Sequence, residues 1–377
     1  MTTRRQHILL VPGFFGFANL GDFAYFAHVR DFLVTFMRQR DLAGEVRVVQ
    51  TYPTASLARR ATRVAESCAE LLDDDDGDVH LIGHSSGGLD VRLFTAPNVS
   101  LPTTLDVDKY ASRVKTVVTL SSPHRGSPLA TFLSSVLGAQ LLRVISLVTI
   151  YTLRGGRVPI AAVFHLVRLL SLPRLPMIDS GTLLNNIYRD LLSDFSHDRR
   201  EALEQFMITV GEDQELLGQL TPMGMDLFNQ STFDRPGVRY GSVVTCARRP
   251  GAVTAWAVGA SPLRQATHLL FNAFHRLTAN MPPIPVGLRY AQSTALTRAY
   301  GRLMAPRDND GMVPTLSQVW GEVIHATWGD HLDAIGHFYL PQHVPPHFDW
   351  LNSGTRFSMA DFEHIWRDVG EFLVAAA

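Results

Sequence analysis

The chain has 377 residues, 46% of them hydrophobic and 18% charged, with a formal net charge of −1. This is an ordinary globular composition, long enough to bury a large core, and it offers no basic field to attract nucleic acid. The two cysteines, Cys68 and Cys246, are too few and too far apart for a metal cluster or a disulfide scaffold, and they read as free thiols.

In chain order, Met1 to Gln6 leads into a strand-like run, His7 to Val11, closed by Pro12-Gly13. The run is too short for the apolar core of a signal peptide and carries no cleavage site. The expectation is a chain made without a secretory signal and so cytoplasmic, with export by another route left open. Next comes the loop Pro12-Gly13-Phe14-Phe15-Gly16-Phe17. In a doubly wound sheet, a loop after an early strand faces the crevice at the carboxyl ends of the strands. Phe23, Phe26, Val29, Leu33 and Phe36 then recur at helical spacing to about Arg40, with Gly44 as the expected stop. Val46 to Val49 reads as a strand and Ser56 to Leu72 as a helix. The acidic run Asp73 to Asp76 before Gly77 reads as a solvated turn, because adjacent carboxylates do not converge on one ion.

Val79 to Ile82 is a strand that runs into Gly83-His84-Ser85-Ser86-Gly87, and Gly88 to Phe94 can be helical. Strand, sharp G-x-S-x-G turn, helix is the context that presents a nucleophilic serine. A polar insertion, Pro97 to Arg113, precedes the buried strand Val114 to Leu120. This alternation predicts an α/β fold with a mostly parallel central sheet and helices on both faces. Two apolar stretches break the rhythm, Phe132 to Leu153 and Val158 to Leu172. Polar residues interrupt both before about 18 apolar residues accumulate, so neither is a transmembrane span. They read as lid helices over the crevice, the alternative being a buried core pair. Polar helical segments from Thr182 to Leu217 follow, then a strand at Val238 to Thr245 and a helix at Leu263 to Leu277. A turn at Asp308-Asn309-Asp310-Gly311, a last strand at Val323 to Ala326 and a closing helix at Met359 to Ala376 complete the chain. The expected organisation is one domain, 1–377, with a helical lid or cap insertion at 127–237.

An activated serine needs a base, and the base needs an orienting acid. Ser85, Asp310 and His331 stand in the chain order of this fold class, each in a turn after a strand. His331 would take the Ser85 proton and Asp310 would hold the other ring nitrogen. Asp310 is preferred to Asp308 because it precedes glycine in the tighter turn. The backbone N–H groups of Phe14 and Ser86 would hold the oxyanion. Phe15 and Phe17 are substrate-binding candidates. His84 is carried with them, although its place beside the nucleophile points it off the elbow and argues for a structural role.

Pro12-Gly13-Phe14, Gly83 to Asp90, Ser122-Pro123-His124-Arg125-Gly126-Ser127, Leu220-Thr221-Pro222 with Phe228-Asn229, Asn309 to Val313 and His331-Leu332-Asp333 occur in one order. Together these blocks resemble the bacterial triacylglycerol lipase family of α/β-hydrolases. The resemblance implies an α/β-hydrolase fold with an inserted helical lid. It also implies a carboxylic-ester hydrolase acting on acylglycerols or other hydrophobic esters, with Ser85, Asp310 and His331 as its triad. The chain departs from the family pattern at Pro12, where histidine is usual, and at Ser86, where only the backbone N–H is needed. No cofactor is required. A structural calcium is implied through Asp333, yet Met281 to Tyr300 contains no Asp or Glu to supply a second carboxylate. The expected partner is a hydrophobic ester, met at a lipid–water interface, and neither nucleic acid nor oligomeric state is indicated. An acyltransferase or a polyester hydrolase would use the same three residues. A non-catalytic lipid-binding protein on this fold is the reading from a different class.

Overall fold

The computed structural model describes residues 4–14, 25–73, 75–135, 160–171, 215–280, 286–349 and 351–376, with isolated positions between 189 and 213. Six strands form one sheet in the order β2-β1-β3-β4-β5-β6, every neighbouring pair parallel. They are β1 (Gln6–Val11), β2 (Val46–Val48), β3 (Asp78–His84), β4 (Val114–Leu120), β5 (Arg239–Cys246) and β6 (Glu322–Trp328). Every residue of β1 and of β3 is buried, as central strands covered on both faces must be.

The period-2 alternation of the strands divides the core. Ile8, Leu10, Ile82, Val118 and Leu120 pack into one layer with α1 (Ala27–Gln39) and, near the C-terminus, Phe362, Ile365, Trp366 and Val369. Leu9, Val11, Leu81 and Val117 pack into the other with α2 (Leu57–Leu72) and α3 (Gly87–Thr95). Helices α4 (Val107–Ala111) and α5 (Pro128–Leu133) flank β4, and α6 (Ile160–Ser171), α7 (Glu215–Gln219) and α8 (Pro222–Ser231) precede β5. Helices α9 (Ala252–Val258), α10 (Pro262–Ala279) and α11 (Tyr290–Tyr300) lie between β5 and β6, and α12 (Met359–Val374) closes the chain.

The helix from residue 27 ends before the expected stop. The chain reverses at Asp41 in the left-handed region (φ 53°). Gly44 serves a different purpose: a Cβ there would lie 1.8 Å from the Gln6 carbonyl oxygen, so glycine lets this segment cross β1. The acidic run behaves as a turn. Asp73 accepts from Tyr110, Asp75 pairs with Arg5 and caps the Gly77 N–H, and Asp76 faces Arg113. Both cysteines are buried and unbridged.

Most of the Phe132 to Leu153 stretch and of the 182–217 segments lies outside the described residues. Helix α6 buries Val163, Leu166 and Leu170 against the main core beside α10, while Phe164 is half exposed. Among the described residues no helix is long and apolar enough to cross a membrane.

Candidate active site

Ser85 sits at the end of β3 with φ +55°, a left-handed conformation that costs a non-glycine residue about 1–3 kcal/mol. Its surroundings leave it no alternative. The Ser85 N–H donates to Leu120 O at 2.8 Å, which ties the turn to the end of β4. A Cβ on Gly83 would lie 2.3 Å from Gly87 O, and one on Gly87 would lie 2.2 Å from Val11 O. Glycine at both positions lets β1, β3 and α3 converge on the strained serine. Ser86 is the N-cap of α3, so its N–H lies at the positive end of that helix.

His331 and Asp310 are joined by an Nδ1···Oδ2 contact of 2.8 Å, with both side chains buried. The carboxylate can only accept, so Nδ1 carries the hydrogen and Nε2 is left as a proton acceptor. Asp310 is held from several sides. Its Oδ1 accepts the N–H groups of Met312 (2.9 Å) and Val313 (2.7 Å). Its Oδ2 also accepts from Thr245 Oγ1 and Gln318 Nε2, each at 3.1 Å. The His331 N–H donates to Asp310 O at 3.0 Å, so the backbone is tethered as well. Asp308 faces elsewhere, paired with Arg302 at 2.6 Å and Arg249 at 3.4 Å. Gln318 and Thr245 were not visible as site residues in the sequence. They reach Asp310 from a 3₁₀ turn and from β5, with no local motif to mark them.

Ser85 and His331 line one narrow cleft of about 60 Å³ with Phe14, Leu129, Ala130, Leu133, Leu217 and Leu220. The wall is almost entirely apolar. The Pro12-Gly13-Phe14 loop lies directly against the serine, because a Cβ on Gly13 would be 2.5 Å from Ser85 Cβ. Phe15 and Phe17 fall outside the described residues.

His84 does not line the cleft, so it is not a substrate-binding residue. It is fully buried, and both of its ring nitrogens are engaged. Gly13 N–H donates to Tyr25 Oη (3.2 Å), Tyr25 O–H donates to His84 Nδ1 (2.6 Å), and His84 Nε2–H donates to His331 O (2.8 Å). Burial and the neighbouring His331 hold the ring well below the ordinary histidine range, so it stays neutral in this relay. His84 thus ties the Gly13 loop to the backbone of His331. Arg60 braces the same loop. Its Nη2 donates to Pro12 O at 2.8 Å and to Asp90 Oδ2 at 2.7 Å, with both side chains fully buried.

Asp333 is buried beside Asp330, and its Oδ2 accepts the Asp330 N–H at 2.8 Å. The nearby carboxylate of Asp349 acts on Asp333 and is itself acted on by Asp330. Among the described residues these carboxylate oxygens are not gathered within 4.8 Å of one another, the spacing at which three groups share an ion. Asp330 Oδ1 is already committed to two backbone N–H groups. Asp330 Oδ2 is buried with no hydrogen-bond partner among the described residues, so an acidic oxygen of the kind a calcium ion takes stays open beside Asp333. In the absence of a cation, protonation answers the crowding. Burial lifts Asp330 to about 6, and burial with the charges of Asp330 and Asp349 lifts Asp333 well above the carboxylate range. Carboxyls raised in the folded state bind more protons there than when unfolded, so stability falls as pH rises from about 4 through the raised values. Thermal melts between pH 5 and 8 should show Tm falling with pH, and Asp333→Asn should flatten that slope. An unchanged slope in the variant would remove Asp333 from the account.

The parallel sheet, the strained serine at the tip of β3 and the Asp310–His331 pair on later turns define an α/β-hydrolase fold. Solved structures agree. The chain is similar to Staphylococcus hyicus lipase (17% identity, TM-score 0.51, 99% of this chain and 96% of that one). It is also similar to a metagenomic carboxyl esterase (15%, 0.51, 100% and 77%) and to EstA from Clostridium botulinum (16%, 0.51, 98% and 87%). No protein-family model and no curated protein matches the chain by sequence.

Proposed function

We propose that the protein is a serine carboxylic-ester hydrolase that cleaves hydrophobic esters such as acylglycerols. The observation that carries this reading is the strained Ser85 sharing an apolar cleft with a His331 whose far nitrogen is held by buried Asp310. His331 Nε2 takes the Ser85 proton as Oγ attacks the ester carbonyl. The backbone N–H groups of Phe14 and Ser86 hold the oxyanion, and the alcohol leaves with the proton from His331. Water activated by the same histidine then releases the acid from the serine.

The cleft supports a bulky apolar acyl group, because its walls are aliphatic and Phe14 stands at its edge. Its volume is several-fold below the roughly 300 Å³ or more of an ordinary ligand pocket. A long chain therefore needs more room than the cleft offers as it stands. Met223 and Leu227, one turn apart on α8 and exposed, follow directly on Leu220 at the cleft wall. They suit contact with a lipid–water interface.

The test is a chain-length series of p-nitrophenyl esters from acetate to palmitate, with and without an emulsified phase. Activity should rise toward long chains and increase further when the phase is present. Activity confined to acetate and butyrate, indifferent to the emulsion, would make this a small-ester esterase. No turnover of any ester would overturn the hydrolase reading.

A further inference from the structure

Three imidazoles meet outside the cleft lining. His28 lies in the first turn of α1, and His343 and His347 lie on the loop that follows His331. One nitrogen from each lies within 4.8 Å of the others. The His28 and His347 rings stack, with centroids 3.5 Å apart and planes 11° from parallel. The His343 ring stands edge-on to both, at 5.8 and 4.8 Å.

The hydrogen bonds around the cluster fix its tautomers. His343 Nδ1–H donates to Pro345 O at 2.8 Å, and His347 Nδ1–H donates to Gly336 O at 2.7 Å. His343 and His347 thus each spend Nδ1–H on a backbone carbonyl and keep the Nε2 lone pair. Among the described residues His347 Nε2 is buried with no hydrogen-bond partner, and the residue is 1% exposed. An orphaned buried acceptor costs about 1–3 kcal/mol, and here one nitrogen from each of the other two rings lies close by. A cation between the rings satisfies all three.

We propose that His28, His343 and His347 form a zinc site that clamps the start of α1 to the loop after His331. Imidazole nitrogens suit zinc and do not suit calcium or magnesium. Tetrahedral Zn–N bonds of about 2.0–2.1 Å hold ligand nitrogens about 3.4 Å apart, so the three nitrogens, now within 4.8 Å of one another, draw together on binding. Backbone carbonyls on the far nitrogens are the usual outer support of histidine ligands. The fourth position opens into a cavity of about 550 Å³ that Asp31 and Glu363 also line.

None of the three histidines lines the Ser85 cleft, so the ion has a positioning role. Both segments it joins reach the site. Tyr25, just before α1, holds the Gly13 N–H and His84, and its carbonyl accepts from His337 Nε2 at 3.3 Å. Gly336, whose carbonyl holds His347, is packed so closely that a Cβ there would lie 3.1 Å from His28 Cβ.

The test uses the full chain stripped with a chelator and titrated calorimetrically with zinc chloride. A parallel Co²⁺ titration is followed by visible absorption. The expected result is one zinc per chain, a higher Tm on binding, and the intense Co²⁺ bands of a four-coordinate site. His343→Ala alters a half-exposed side chain and should weaken zinc at least about tenfold. Tm of the stripped variant should stay near that of the stripped wild type. Ser85→Ala should bind zinc as wild type does. Failure of the stripped wild type to bind zinc would overturn the proposal. So would an unchanged, wild-type zinc affinity in both His343→Ala and His28→Gln, which would place the ion elsewhere. If His347→Ala does not fold, the His343 and His28 variants still decide the matter.

Discussion

Ser85→Ala should lower kcat/KM for p-nitrophenyl esters by about 10⁴–10⁶-fold while leaving Tm close to that of the wild type. The size of the loss follows from the site. Asp310 and His331 are held by a network that does not include the serine side chain, so they remain in place but have no nucleophile to activate. The residual rate would come from the Phe14 and Ser86 N–H groups acting on a water-driven reaction. The fold should tolerate the change because the bond from the Ser85 N–H to Leu120 O belongs to the backbone. Alanine also inherits the same left-handed strain, neither relieved nor worsened. A fluorophosphonate probe reports the same event covalently: wild type should label and the variant should not. Labelling that survives in Ser85→Ala would place the nucleophile on another residue, and a large drop in Tm would make the activity loss uninterpretable as chemistry.

What could be read in the sequence was local. The G-x-S-x-G turn declares itself because the glycines are demanded by backbone contacts within a few residues, Gly83 against Gly87 above all. Strand β4 was bounded correctly at Val114 and Leu120 because β-branched residues fill it and a polar segment and a turn close it. Phe26, Val29, Leu33 and Phe36 are buried at the helical spacing they showed. What could not be read depends on contacts between distant residues. Tyr25 meets His84 across 59 positions, and Gln318 reaches Thr245 across 73. No composition or spacing marks either pair. His84 was misplaced for the same reason. Its position beside the nucleophile is visible, whereas the tyrosine and the carbonyl that consume its two nitrogens are not. Helix α11 also escaped notice. Its buried residues Gln292, Leu296 and Tyr300 do recur every four positions, but alanine and threonine between them blur the apolar stripe.

Arg60→Met should cost about 3–5 kcal/mol of stability, because it leaves the fully buried Asp90 without its partner. The pair is bidentate, with Arg60 Nε at 3.1 and 3.0 Å from the two carboxylate oxygens and Nη2 at 2.7 Å. Even with the guanidinium present, burial raises the Asp90 carboxyl to about 6. Without it the carboxyl rises further, so the folded state binds a proton that the unfolded state has released. The variant's deficit should therefore be larger at pH 8 than at pH 5. Replacing both partners, Arg60→Met with Asp90→Leu, removes the uncompensated charge and should recover most of the stability. Activity should not recover in step. Arg60 also holds the carbonyls of Tyr52 (2.6 Å) and Pro12 (2.8 Å), and the latter precedes the Gly13-Phe14 segment packed against Ser85. The double variant should stay well folded yet lose at least about tenfold in kcat, since a misaligned oxyanion donor alone costs about 10²-fold or more. Urea melts and ester kinetics on the two variants separate the effects. Full recovery of both stability and rate would reduce Arg60 to a packing residue. Stability regained with the rate still depressed would identify it as the brace that sets the oxyanion loop against the serine.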